Sequence, residues 1–131
     1  MVEAARVQAA QTAELGADTL FIAQHMCDAR RAGPAIGAEA SGERVAIMAD
    51  GLELAAQAAR REGVAMALHP HVGSWIETEP EVRGILDRTR GGELRFGPDT
   101  GHLAFAGMDP AALVAEYRDR VAGIHLKDLD A

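Results

Sequence analysis

The sequence predicts an α/β protein, part of a parallel (β/α) barrel with about four βα units. Three observations predict it. Helix-forming stretches alternate strictly with short apolar runs along the 131 residues. The apolar runs are continuous, as in strands covered on both faces. Strand starts near residues 64, 93 and 121 recur at intervals of 29 and 28 residues, the length of one βα unit.

Residues 2–15 carry Val2, Ala5, Ala9 and Ala13 among good helix formers, and Gly16 stops the helix. Residues 19–23 are a buried strand. Residues 26–40, rich in Gly, Ala and charge and holding Pro34, read as a loop. Ser41 caps a long helix over 42–62, with Glu43 and Arg44 in its first turn and Gly63 as its stop. Residues 64–68 form a second continuous apolar strand. Thr78 opens a helix over 79–89, with Pro80 tolerated in the first turn, and Gly91-Gly92 breaks it. Residues 93–97 lead a third strand. Asp109-Pro110, an acidic cap followed by proline, starts a helix that ends near Arg118. Residues 121–126 form a fourth strand. Residues 1–131 read as one partial-barrel domain. Four strands are too few for a closed (β/α)8 barrel, which takes about 250 residues. Completion by further sequence or by a partner chain is therefore expected, and a homo-oligomer, in the simplest case a dimer, would also cover the open sheet edges.

Composition narrows the function. Hydrophobic residues make up 48% and charged residues 25%, the balance of an ordinary globular protein. No apolar run approaches the roughly 18 residues that span a bilayer. Thirteen basic against 20 acidic residues give a net charge of −7, which argues against nucleic acid or an anionic membrane as partner. The single cysteine, Cys27, offers neither a disulfide framework nor a thiolate metal cluster, and a reducing, cytoplasmic setting is expected.

The chemistry-bearing residues gather at strand ends. His69 and His71 follow the second strand, Asp99 and His102 the third, and His125 closes the fourth, with Lys127 just beyond. In parallel α/β folds that face carries the active site, because strand ends converge there and loops vary freely. Imidazole and carboxylate without thiolate suit a divalent ion: Mn, Co, Mg, Fe or Zn. Lys127 either neutralises a developing oxyanion or is a surface lysine paired with Asp128. Trp75 either packs the rim or forms a wall of a sugar site. His25 reads as a rim residue, Cys27 as a passive small residue, and Asp109 as a helix cap. Asp99 has a capping role open to it as well.

The motifs HPHxGxWxET (His69 to Thr78), DTGHxAxxGxDP (Asp99 to Pro110) and HxKD (His125 to Asp128) resemble the xylose isomerase-like TIM barrel superfamily of sugar isomerases and epimerases. Within it, the pattern is most similar to the inosose dehydratase branch, over roughly residues 10–130. The resemblance implies one divalent metal ion, held by a residue on each of four strands. Asp99 and His125 match the Asp and His ligands, and His69 stands where many members have the first Glu. His71 and His102 match positions that contact substrate oxygens, and Lys127 matches a substrate-contacting lysine. His69, His102 and Lys127 are the candidate catalytic residues. His71, His102, Trp75 and Lys127 are the candidate substrate contacts. A fourth ligand, a Glu on a later strand, has no counterpart before Ala131.

The implied function is a metal-dependent lyase or isomerase acting on a small polyol ketone or sugar, with inosose (2-keto-myo-inositol) dehydration first. A sugar epimerase or ketose isomerase of the same superfamily is the alternative. So is an inactive barrel segment with a structural or assembly role. Metal-dependent DNA-repair nucleases share the barrel, but they use more His and Glu ligands, and this chain lacks a basic stripe.

Overall fold

Every strand is short and every one is parallel, so the sheet depends on the helices laid over it. In the computed structural model, which describes residues 1–128, β1 (Thr19–Ile22), β2 (Ala65–Leu68) and β3 (Arg95–Phe96) lie in the order β1-β2-β3. Thr19 pairs with Ala65 through to Ile22 with Leu68, and Leu68 pairs with Phe96. The register brings His69, Asp99 and the chain around them to one end of the sheet.

The helices form where capping and composition place them. α1 spans Val2–Glu14 and α3 spans Gly42–Arg61. Gly16 and Gly63 follow them with φ of 79° and 83°, a left-handed conformation that glycine adopts without a Cβ clash. The Ser41 hydroxyl accepts from the Arg44 amide at 3.3 Å. α4 (Glu79–Arg88) opens on Thr78, whose amide and hydroxyl both donate to the Glu81 carboxylate, at 3.0 and 2.9 Å, while the Glu81 amide donates to the Thr78 carbonyl. α6 (Pro110–Glu116) is capped by Asp109, which accepts from the Ala112 amide at 3.0 Å. A 3-10 turn, Arg118–Arg120, follows.

The core lies between this helical layer and the sheet. Ala5 and Ala9 of α1 meet Ala49, Leu52, Ala55, Ala56 and Ala59 of α3, and small side chains let the two helices approach closely. Met66, Leu68 and Phe96 from the sheet and Val82, Ile85 and Leu86 from α4 close the interior. Full burial of each large side chain contributes about 1.5–3 kcal/mol.

Three features depart from the sequence reading. The stretch 26–40 is not all loop: α2 spans Asp28–Ala32 and carries Arg30, which is 1% exposed. Its guanidinium donates to Glu81 at 2.6 and 3.0 Å and to the carbonyls of Ser74 and Ala38. Nearby, the Glu77 carboxylate accepts from the amides of Gly73, Ala35 and Gly37 at 2.8–3.0 Å. Together Arg30, Glu77 and Glu81 lash the loop after β2 to α4. A short α5 (Thr100–Phe105) follows β3 after three residues.

The third departure is the fourth strand, expected over 121–126, which is reduced to two isolated parallel bridges, Phe96 with Val121 and Asp99 with His125. The pairing positions are three residues apart on one side and four on the other, so the extra residue breaks the ladder as a bulge does. Backbone bonds still hold the segment. The Ala122 amide donates to Phe96, and the His125 amide donates to Pro98, both at 2.9 Å.

Candidate functional site

Asp99 is the centre of the strand-end cluster. It ends the β3 unit and caps α5, its Oδ1 accepting from the His102 amide at 3.1 Å. Its side chain is fully buried, and Oδ2 has no aligned hydrogen-bond donor. Around Oδ2 stand Lys127 Nζ at 2.7 Å, His125 Nδ1 at 3.7 Å and His69 Nε2 at 3.9 Å. The lysine contact is close enough for an ion pair, but it lacks the alignment of a hydrogen bond. Of the two readings of Lys127, the surface pair with Asp128 is replaced by this contact with Asp99.

Two of the site histidines are oriented by backbone carbonyls. His69 Nδ1 lies 3.1 Å from the Gly97 carbonyl, and His71 Nδ1 lies 2.8 Å from that of Val72. A carbonyl only accepts, so Nδ1 carries a proton in both rings, which makes Nε2 the lone-pair nitrogen of the neutral ring. His71 and His102 have ring centroids 3.8 Å apart, and those of His69 and His125 are 4.8 Å apart.

Burial sets the charge states. Burial pushes His102 down to about 4, and repulsion from His71 adds to the effect. Burial also lowers His69, against the opposing bond to Gly97. For Asp99 burial acts upward, yet Lys127 and the His102 amide outweigh it and hold the carboxyl below its ordinary value. Burial thus favours the neutral imidazole at His69 and His102 beside one carboxylate, the protonation pattern metal ligands require.

The donor set fits a cation. Ligand atoms of His69, Asp99 and His102 all lie within 4.8 Å of one another, and Asp99 Oδ2 is a buried oxygen whose near neighbours are the Lys127 ammonium and two imidazole nitrogens. The sequence pairs His125 rather than His102 with His69 and Asp99 as ligands. The structure brings both imidazoles to the cluster, His102 by proximity of ligand atoms and His125 by its 3.7 Å approach to Oδ2. Beside it, a cavity of about 330 Å³ is lined by Val72, Gly101, His102, Phe105, Lys127 and Asp128. A larger cavity of about 760 Å³ runs along α3 and α4 past Val45 and Gly84, away from these groups.

Other candidates fall elsewhere. The Trp75 ring has the Arg44 guanidinium 4.0 Å and that of Arg30 5.2 Å from its centroid, and its amide donates to the His25 carbonyl. His25 is exposed and borders a separate cavity beside α1. Cys27 is buried and free.

One contributor escaped sequence reading. The Phe21 ring of β1 stacks on His125 at 4.6 Å and 18°, and meets His69 edge-on at 6.0 Å. It fits only because Gly97 and Gly123 lack side chains: a Cβ on either would come within 2.5 or 2.9 Å of it. The glycines were the available signal, one at the end of a strand and one inside an expected strand.

Imidazoles and a carboxylate at the C-terminal ends of parallel strands define a candidate cation-binding α/β barrel site. Comparison with known proteins goes one step further. The chain belongs to the xylose isomerase-like TIM barrel family, whose model matches residues 2–131. Inosose dehydratase 1 of Bacillus cereus and inosose dehydratase of Bacillus anthracis are each 33% identical over 82 residues, 63% of this chain. The matched segment spans only 28% of the length of those relatives. Among solved structures, the IolI protein with a bound zinc atom superposes with a TM-score of 0.78 at 14% identity, over 99% of this chain and 45% of that one. The 3-keto-D-glucoside 4-epimerase YcjR from E. coli gives 0.76 at 18% identity, over 97% of this chain and 50% of that one. These likenesses show the fold: the chain corresponds to about half a barrel. Among the described residues, no helix is long and apolar enough to cross a membrane.

Proposed function

We propose that this chain is part of a cation-dependent lyase acting on a small polyol ketone, with inosose dehydration as the reaction. The observation that carries the reading is the clustering of His69, Asp99 and His102 ligand atoms within 4.8 Å of one another, around a buried carboxylate whose Oδ2 also faces His125 at 3.7 Å and the Lys127 ammonium at 2.7 Å. The sequence likeness to inosose dehydratases supports the choice of substrate.

In this reading residues 1–131 act as one partial-barrel domain, and Asp99, His69 and His125 hold the ion. A divalent cation, when bound, polarises a substrate carbonyl and acidifies the adjacent C–H. Its identity is one of Mn, Co, Mg, Fe or Zn, from the hard and borderline donors offered. His102, held neutral by burial, accepts the proton from the carbon next to the carbonyl. The β-hydroxyl then leaves with that proton as water, and a carbon–carbon double bond forms in conjugation. Lys127 faces the charge growing on the carbonyl oxygen. His71 binds a second substrate oxygen through Nε2.

Cation content and inosose turnover of the full-length protein and of Asp99→Ala test this reading. The expected result is loss of both the bound ion and the conjugated product. Unchanged cation content in the variant would falsify it. Appearance of an epimer without a conjugated product would move the assignment to a sugar epimerase.

A further inference from the structure

Lys127 stands where a cation would have to come. Its ammonium, at 2.7 Å, comes nearest to Asp99 Oδ2 of the three groups around that oxygen. The approach is built into the backbone. Thr100 clamps the lysine by reciprocal bonds: its hydroxyl donates to the Lys127 carbonyl and accepts from the Lys127 amide, each at 2.8 Å. The side chain then passes over Gly101, where a Cβ would sit 2.9 Å from Lys127 Cβ and 3.1 Å from its Cδ. At the same time Lys127 borders the 330 Å³ cavity with Val72, His102 and Phe105, and its side chain is 51% exposed. It has room to leave.

Resting on the cation-site reading above, we propose that Lys127 is an internal competitor for the ion. Its ammonium and a divalent cation exclude each other from Asp99 Oδ2, because like charges a few ångströms apart in a partly dry site repel strongly. Cation binding releases the lysine into the cavity beside His102, where its ammonium meets a substrate oxygen. Ion binding and substrate recognition are thereby coupled through one side chain. The coupling is reciprocal: a ligand that draws Lys127 into the cavity tightens the ion by the same factor.

The test is zinc affinity by calorimetry on the full chain, in a few hundred millimolar salt so that through-space charge effects are screened. Wild type, Lys127→Met and Asp99→Asn are compared. Removing the competitor is expected to tighten zinc binding at least tenfold, while Asp99→Asn weakens or abolishes it. Because Lys127 is the only lysine in the chain, reductive 13C-methylation gives a single lysine side-chain signal. Zinc is expected to move that signal to the position it already holds in Asp99→Asn. Equal or weaker zinc binding by Lys127→Met overturns the proposal, as does a lysine signal that zinc leaves unchanged. If Asp99→Asn binds zinc as wild type does, or if no form binds zinc, the cation-site reading fails and the competitor role with it.

Discussion

His69 presents Nε2 to Asp99 Oδ2 across 3.9 Å because its other ring nitrogen is held by the Gly97 carbonyl. One backbone bond thus selects both the tautomer and the direction of the lone pair. Long-range 15N spectra are expected to show the Nδ1–H form for His69 at neutral pH. His69→Asn is expected to lower zinc affinity roughly 10- to 100-fold, the usual effect of disturbing a ligand shell. A Nε2–H signature for His69 would contradict the assignment.

Phe21 packs into the space left by Gly97 and Gly123. Gly97→Ala is therefore expected to destabilise the chain by about 1–3 kcal/mol through overpacking, as measured by urea unfolding. The double variant Gly97→Ala, Phe21→Leu is expected to recover part of that loss, a non-additivity that residues in direct contact show. Strict additivity would mean that the ring and the glycine do not share the space.

The Arg30–Glu81 pair is buried at both ends. Arg30→Met leaves Glu81 uncompensated and is expected to cost about 3–5 kcal/mol, whereas Arg30→Met with Glu81→Gln costs less than the sum of the single changes. Thermal unfolding of the four forms closes this cycle. Because the pair holds the loop that carries His71, zinc affinity should fall with it.

Histidine burial predicts a pH effect on stability. His102 falls from its ordinary value of 6.5 to about 4 in the folded chain. The unfolded chain then binds the extra proton first, so stability is fully present above about 6.5 and is lost as pH falls toward 4. After discounting for partial exposure, the loss is on the order of 1–2 kcal/mol. His102→Gln is expected to flatten that part of the stability curve for the metal-free chain. An unchanged slope would count against a neutral, desolvated His102.

Local signals were legible and long-range ones were not. Ser41 and Asp109 announce helix starts through side chains that bond amides a few residues on, and Thr78 through its bonds to the Glu81 carboxylate. Gly16 and Gly63 end helices for equally local reasons. The strand-end residues His69, Asp99 and His125 share one face because parallel strands with helical crossovers must end together. Arg30 was hidden: its burial depends on Glu81, 51 residues away, and no nearby pattern records that partner. The two-turn α5 carries no amphipathic period to detect. Lys127 gave no hint of choosing Asp99 over its neighbour Asp128, since that choice depends on Gly101 leaving a path.

The one-residue mismatch between 96–99 and 121–125 has a consequence in counting. Side chains on a regular strand alternate, so positions 121 and 125, an even number apart, would share a side. Here they do not. Val121 packs against the helix-side core, while His125 reaches Asp99 and the Phe21 ring on the other side. The surplus residue changes the parity of the segment, letting one stretch of chain furnish a hydrophobe to one layer and an imidazole to the other. Were the same residues paired continuously, both side chains would face one way, and either the core would lose its valine or the carboxylate its imidazole.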